Sequence, residues 1–124
     1  MFTMRRDQMD AFRNASIADF EERMISHLRS ALPEYVQHMA DPDLRTFIQQ
    51  VISRAESLSI MEEYDVCLYL NVAAVFGAGF DGLPWAQEVL CDPLCSARAR
   101  VEKVYDLAVR REASGEHGDV ARTP

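Results

Sequence analysis

The chain has 124 residues, 48% hydrophobic and 27% charged, with five glycines and five prolines. That size fits one domain able to bury roughly two-thirds of its unfolded surface, and the composition is globular, which sets disorder aside. Acids outnumber bases 20 to 13, a formal charge of −7, which opposes nucleic acid and anionic membranes as partners because phosphate neutralisation needs clustered Lys and Arg.

The opening residues, MFTMRRDQMD, lack the apolar stretch and small-residue site of a secretory signal. No apolar run approaches the ~20 residues that span a bilayer. Cys67, Cys91 and Cys95 are odd in number and carry no metal-ligand spacing, so three reduced thiols in the cytoplasm are expected.

Met9 and Phe12 begin an apolar stripe that Ile17, Phe20, Met24 and Leu28 continue at helical spacing. Ser16 and Asp19 form a weak capping box, and Pro33 falls just past the expected end of this helix. In DPDLRTFIQQVISRAESL, Asp41 is the expected cap, Pro42 the first helical residue, and Asp43 a complement to the dipole. Leu44, Phe47, Ile48, Val51, Ala55 and Leu58 supply its apolar stripe. The next segment, SIMEEYDVCLYLNVAAVFG, offers Ser59 and Glu62 as a stronger capping box. From Val66 to Phe76 it is apolar on nearly every side, with Asn71 the interruption, as expected of a helix in the middle of a bundle. A strand over Val66–Leu70 competes, but length and the cap favour helix.

Gly77 suits a helix C-terminus that needs a positive φ. A corner over Ala78–Leu83 follows, and Pro84-Trp85 starts a short helix to about Leu90. In CDPLCSARARVEKVYDLAVRRE, Asp92 is the expected cap and Pro93 the first helical residue. Leu94, Ala97, Val101, Val104, Tyr105 and Ala108 form the expected buried face, with Arg110 and Arg111 at the negative end. Ser114–Pro124 loses periodicity and reads as a flexible tail, leaving 1–113 as a single helical domain. The fold class is therefore all-α, a bundle of about five to six helices with a Gly/Pro/Trp corner before the last two.

The chemistry is sparse. Gly77, Gly79 and Gly82 match neither glycine-rich phosphate-loop spacing, and no lysine lies near them. Asp81 between glycines reads as a turn residue bonded to its own backbone. Phe76, Phe80 and Trp85 can anchor the corner, and a partly exposed Trp85 would be an interface anchor. His27, His38 and His117 are scattered, and no zinc motif occurs. Cys91 and Cys95 read as small apolar core residues, while Glu62, Glu63 and Asp65 read as a solvated first turn. Arg98, Arg100, Arg110 and Arg111 read as a solvated face. Met4, Met9, Met24, Met39 and Met61 read mainly as core filling. No catalytic constellation, metal site or cofactor emerges, which favours a binding protein over an enzyme.

The segments RRDQMDAFRNASIADFEERMISHLRSALP and EEYDVCLYLNVAAVFGAGFDGLPWAQEVL resemble a family of small helical proteins. These are encoded among bacterial type VI secretion effector genes, beside VgrG and PAAR spike components. The similarity covers about residues 5–107 and is most specific in the order Phe76-Gly77, Phe80-Asp81, Pro84-Trp85-Ala86, Val89-Leu90. Members often carry a longer spacer where this chain has only Gly82-Leu83. The resemblance implies a co-chaperone-like role in loading or holding a toxin effector, with an adaptor chaperone, and brings no catalytic residue with it. The expected partner is thus a protein, the effector or its adaptor, held near Phe80, Asp81, Leu83 and Trp85. The rivals are an immunity protein whose −7 charge suits a basic toxin, and a small enzyme with a carboxylate or thiol site.

Overall fold

The computed structural model describes residues 17–115. Met4, the Met9 and Phe12 start of the first stripe, the Ser16 cap, His117 and most of the expected tail lie outside the described residues. The described part is all-helical: α1 (Ile17–Ala31), α2 (Pro33–Val36), α3 (Asp41–Ser57), α4 (Glu63–Phe76), a 3₁₀ turn (Phe80–Gly82), α5 (Pro84–Leu90) and α6 (Ala97–Ala113). No strand occurs among these residues, so Val66–Leu70 is helical.

α4 is the axis of the bundle. It is buried from Asp65 to Ala73 without a break, and it packs against α1, α2, α3, α6 and the 3₁₀ turn. The apolar stripes of the other helices close on it: Phe20, Met24 and Leu28 from α1, Leu44, Ile48, Val51 and Ala55 from α3, Val101, Val104 and Ala108 from α6. Burying each such large aliphatic or aromatic side chain contributes about 1.5–3 kcal/mol against its exposed state. Polar ties fix the outer helices. Arg29 donates to the carbonyls of Val36 and Met39 and to Asp41 Oδ1, at 3.4, 2.7 and 2.7 Å, locking the α1–α3 connection. The Tyr35 hydroxyl donates to Glu112 Oε2 at 3.0 Å, joining α2 to the end of α6. Burial, then the Glu112 carboxylate, pushes the Tyr35 phenol up to about 12.

Helix termini depart most from expectation. Ser59 does not cap α4; it ends α3. With φ at 64°, its amide bonds to the Glu56 carbonyl at 2.9 Å while the Ile60 amide reaches back to Ala55 at 2.9 Å. Those paired bonds are a Schellman ending, and buried Ile60 supplies the accompanying apolar contact. Glu62 occupies the N-cap position of α4 without a side-chain cap bond. Asp41 is likewise inside α3, whose N-cap is Ala40. Its carboxylate instead accepts from Arg29 Nε and Nη2, a charge-assisted pair.

Asp92 does not cap the last helix either. Its Oδ1 accepts from the Leu94 amide at 2.9 Å, a local side-chain turn that competes with helix. α6 starts later, capped by Ser96, whose Oγ accepts from the Ala99 amide at 3.1 Å. Leu94, expected on the buried face, is consequently thrown outward and is 92% exposed. Ile17, also expected inside, is exposed because it sits at the very start of α1, a turn before the first core contact at Phe20. Met24 fills the core as expected, Met39 packs at its edge, and Met61 lies exposed in the α3–α4 connection.

Two readings of charged and thiol groups are corrected as well. Asp65 is buried rather than solvated, and Arg98 pairs with it, with Glu62 at 3.0 Å, and with the face of Tyr64 at 4.6 Å. Burial pushes the Asp65 carboxyl up, and Arg98 partly offsets this. Cys91 and Cys95 do not fill the core; Cys91 is exposed and Cys95 half-buried, because the loop holding them stays outside both flanking helices.

Candidate protein-binding corner

The corner begins where α4 stops. Gly77 has φ 101° and ψ 154°, a conformation that side chains strongly resist, and its amide still closes on the Ala73 carbonyl at 2.7 Å. The chain then makes the 3₁₀ turn, with Leu83 N–H bonded to the Phe80 carbonyl at 2.9 Å. Leu83 leads into α5 in an extended conformation, and Pro84 takes the first helical position, where its missing N–H costs nothing.

Phe80, Asp81, Leu83 and Trp85 have different placements. Phe80 is fully buried and meets the Tyr69 ring at 4.8 Å. Asp81 also turns inward: Oδ2 accepts from the Tyr69 hydroxyl at 2.6 Å and from Arg54 Nε at 3.0 Å, while Oδ1 takes a second bond from Arg54. Burial opposes the Asp81 charge, but Arg54 and Tyr69 together outweigh it and hold the carboxyl below the usual carboxylate range. Burial first, then the Asp81 carboxylate, pushes the Tyr69 phenol upward, and Arg54 offsets part of this. Asp81 is therefore a tie from the corner to α3 and α4, beyond the local turn the sequence suggested.

Leu83 and Trp85 are half-buried and remain at the surface. The Trp85 ring meets Phe76 nearly edge-on, at 5.4 Å and 68°, and Arg111 from α6 covers it with its guanidinium 4.7 Å from the ring centre. Beside the corner, Thr46, Gln49, Gln50, Ser53 and Arg54 of α3 and Ala78 line an open polar groove of about 600 Å³. The arrangement offers hydrogen bonds from amides and hydroxyls on one side and an aromatic–guanidinium pair on the other.

Arg54, Tyr69 and Arg111 set this geometry, and sequence reasoning missed all of them. A hydroxyl in an otherwise apolar helix was the available signal for Tyr69, since a buried phenol needs a partner. Nothing local marks Arg54 or Arg111. Among the described residues, no three His, Cys, Asp or Glu side chains converge as metal ligands, and no helix is long and apolar enough to cross a membrane. No family model, curated protein or solved structure matches the chain.

Proposed function

We propose that this protein is a non-enzymatic, co-chaperone-like binding factor that loads or stabilises a type VI secretion effector in the bacterial cytoplasm. The secretion context rests on the resemblance carried by the Phe76–Leu90 words and the preceding helix. The observation that carries binding is the Trp85–Arg111 pair next to Leu83 on a braced corner. Tryptophan and arginine are the side chains that most often dominate protein interfaces, and a rigid support lowers the entropy lost on docking. The bond-making groups of the corner are already spent on one another, Asp81 on Arg54 and Tyr69. That pairing supports a reading of action by shape and apolar shielding.

Co-expression with the neighbouring effector and adaptor tests the reading. The chain should co-purify with one of them and raise the amount of intact effector. Leu83→Asp and Arg111→Glu should each cut capture at least about tenfold, the usual size of a lost interface anchor, while the helical signal persists. Capture unaffected by both changes would remove the corner as the binding face.

The charge favours immunity as a second reading. The described arginines are largely consumed in pairs within the chain, as with Arg29–Asp41, Arg45–Glu21 and Arg110–Asp106, so the −7 balance faces outward toward a basic partner. Protection of a cell expressing the active toxin would select this reading; effector export that depends on the chain, with siblings lacking it surviving attack, would select loading.

A further inference from the structure

The loop between α5 and α6 holds chemistry that the corner does not use. Cys91 and Cys95 both line one shallow pocket of about 330 Å³, together with Ser59, Asp92, Pro93 and Arg100. Two contacts bear on Cys95. Its thiol donates to Asp92 Oδ2 at 3.4 Å, and Lys103 Nζ donates to its sulfur at 3.3 Å. The sulfur thus stands between a carboxylate and an ammonium, and the ammonium is placed to pair with charge that develops on the sulfur during attack. Cys67 differs: it is buried in α4, and burial pushes its thiol well up.

We propose that Cys91 and Cys95 form a reactive dithiol that takes small-molecule disulfides, such as glutathione disulfide, and closes to an intramolecular bridge. The Cys95 thiolate attacks one sulfur of the disulfide; a mixed disulfide forms on Cys95 and one thiolate leaves. The Cys91 thiolate then attacks the Cys95 sulfur, the Cys91–Cys95 bond forms, and the second thiolate leaves. The two cysteines lose two electrons and two protons in all, and the small disulfide gains them as two thiols. Closure needs α-carbons about 4.4–6.8 Å apart. The backbone bonds across the loop after Cys91 are long, Asp92 N–H to the Val89 carbonyl and Cys95 N–H to the Asp92 carbonyl, both at 3.4 Å. The shorter tie, Leu94 N–H to Asp92 Oδ1 at 2.9 Å, is a side-chain bond that closure can give up. A bridge here would staple the end of α5 to the approach to α6.

The full chain is incubated with glutathione disulfide, alkylated, and cleaved after Glu88 and Glu102, which isolates Cys91 and Cys95 in one peptide away from Cys67. The expected product is that peptide lighter by two hydrogens, free of glutathione and of alkyl label. Cys91→Ser should stop at a stable glutathione adduct on Cys95. Lys103→Gln, with helical content unchanged, should slow capture about two- to fivefold, the size of an exposed charge contact. Two glutathione adducts on one chain, or two alkylated thiols after treatment that fully converts a short cysteine peptide, would overturn the proposal. An unchanged rate in Lys103→Gln would overturn the lysine's part in it.

Discussion

Asn71 interrupts the apolar run of α4 and is buried, a placement that would cost about 1–3 kcal/mol if its amide lacked a partner. His27 of α1 provides that partner, with Nε2–H donating to Asn71 Oδ1 at 3.0 Å. Burial favours the neutral ring and lowers the His27 pKa, the Asn71 bond offsetting part of this. The unfolded chain takes up this proton near pH ~6.5, whereas the folded chain resists until lower pH. Stability from His27 is thus intact above that window and lost as pH falls through it to the lowered folded value. Urea unfolding followed from about pH 7.5 to about pH 5 should show the decline, and His27→Gln, which keeps a donor without a titrating ring, should flatten it. Asp81 acts in a separate, more acidic window. Its folded pKa is depressed, so its stabilisation is present above the unfolded value of ~3.9 and is lost as pH drops through the folded value. Asp81→Asn should remove that acid-side slope while leaving the His27 slope in place. A single unfolding curve per pH separates the two carriers.

Two helix endings depend on backbone conformations that can be tested by one substitution each. Ser59 holds a left-handed φ to complete the Schellman bonds of α3. Glycine reaches that conformation without the ~1–2 kcal/mol steric penalty and loses ~0.5–1 kcal/mol through a freer unfolded chain. Ser59→Gly should therefore stabilise by about 0.5–1 kcal/mol, read as a higher urea midpoint with an unchanged slope. Gly77 presents the reverse case. A Cβ there meets nothing within 4 Å, so the cost of Gly77→Ala is purely its φ of 101°. That substitution should destabilise by about 1–3 kcal/mol. Gly79→Ala, equally uncrowded but at φ −92°, should come within about 0.5 kcal/mol of the parent. The same endings mark the limit of what the sequence made legible. The stripes of α1, α3 and α6 and the all-round burial of α4 were readable because burial imposes a helical period. The Gly77 stop and the Pro84 start were readable because φ constraints are local. Ser59, Asp41 and Asp92 misled because such residues have several competing uses: Ser59 closes α3 through its backbone, Asp92 bonds the Leu94 amide in a local turn, and Asp41 is taken by the distant Arg29. The corner suffered more: Arg54 lies 27 positions before Asp81, and no periodicity reports a pairing of that span.

The distribution of charge follows from how the helices are tied. Arg54 is spent on Asp81, Arg98 on Asp65 and Glu62, Arg45 on Glu21 and Glu22, Arg29 on Asp41. Arg111 lies on Trp85, Arg100 donates to the Leu90 carbonyl at 2.8 Å, and Lys103 reaches Cys95. Cations are thus used to hold elements together, while Glu34, Asp43, Glu56, Glu88 and Glu102 stand on exposed faces of their helices. A surface of that kind repels acidic partners and draws basic ones, and its reach shrinks to about 10 Å at ~0.1 M salt. The corner supplies the opposite kind of force, since Leu83 and Trp85 offer apolar area whose burial is insensitive to salt in this range. Docking should then divide into steps that kinetics can resolve. The association rate with the co-purified partner should fall at least about tenfold between ~0.02 M and ~0.5 M salt, as expected for electrostatic steering. The dissociation rate should change little with salt but rise in Leu83→Asp, because a lost apolar anchor acts mainly after encounter. An association rate indifferent to salt would mean that the −7 balance plays no part in finding the partner. It would also leave the immunity reading without the electrostatic argument that sets it beside effector loading.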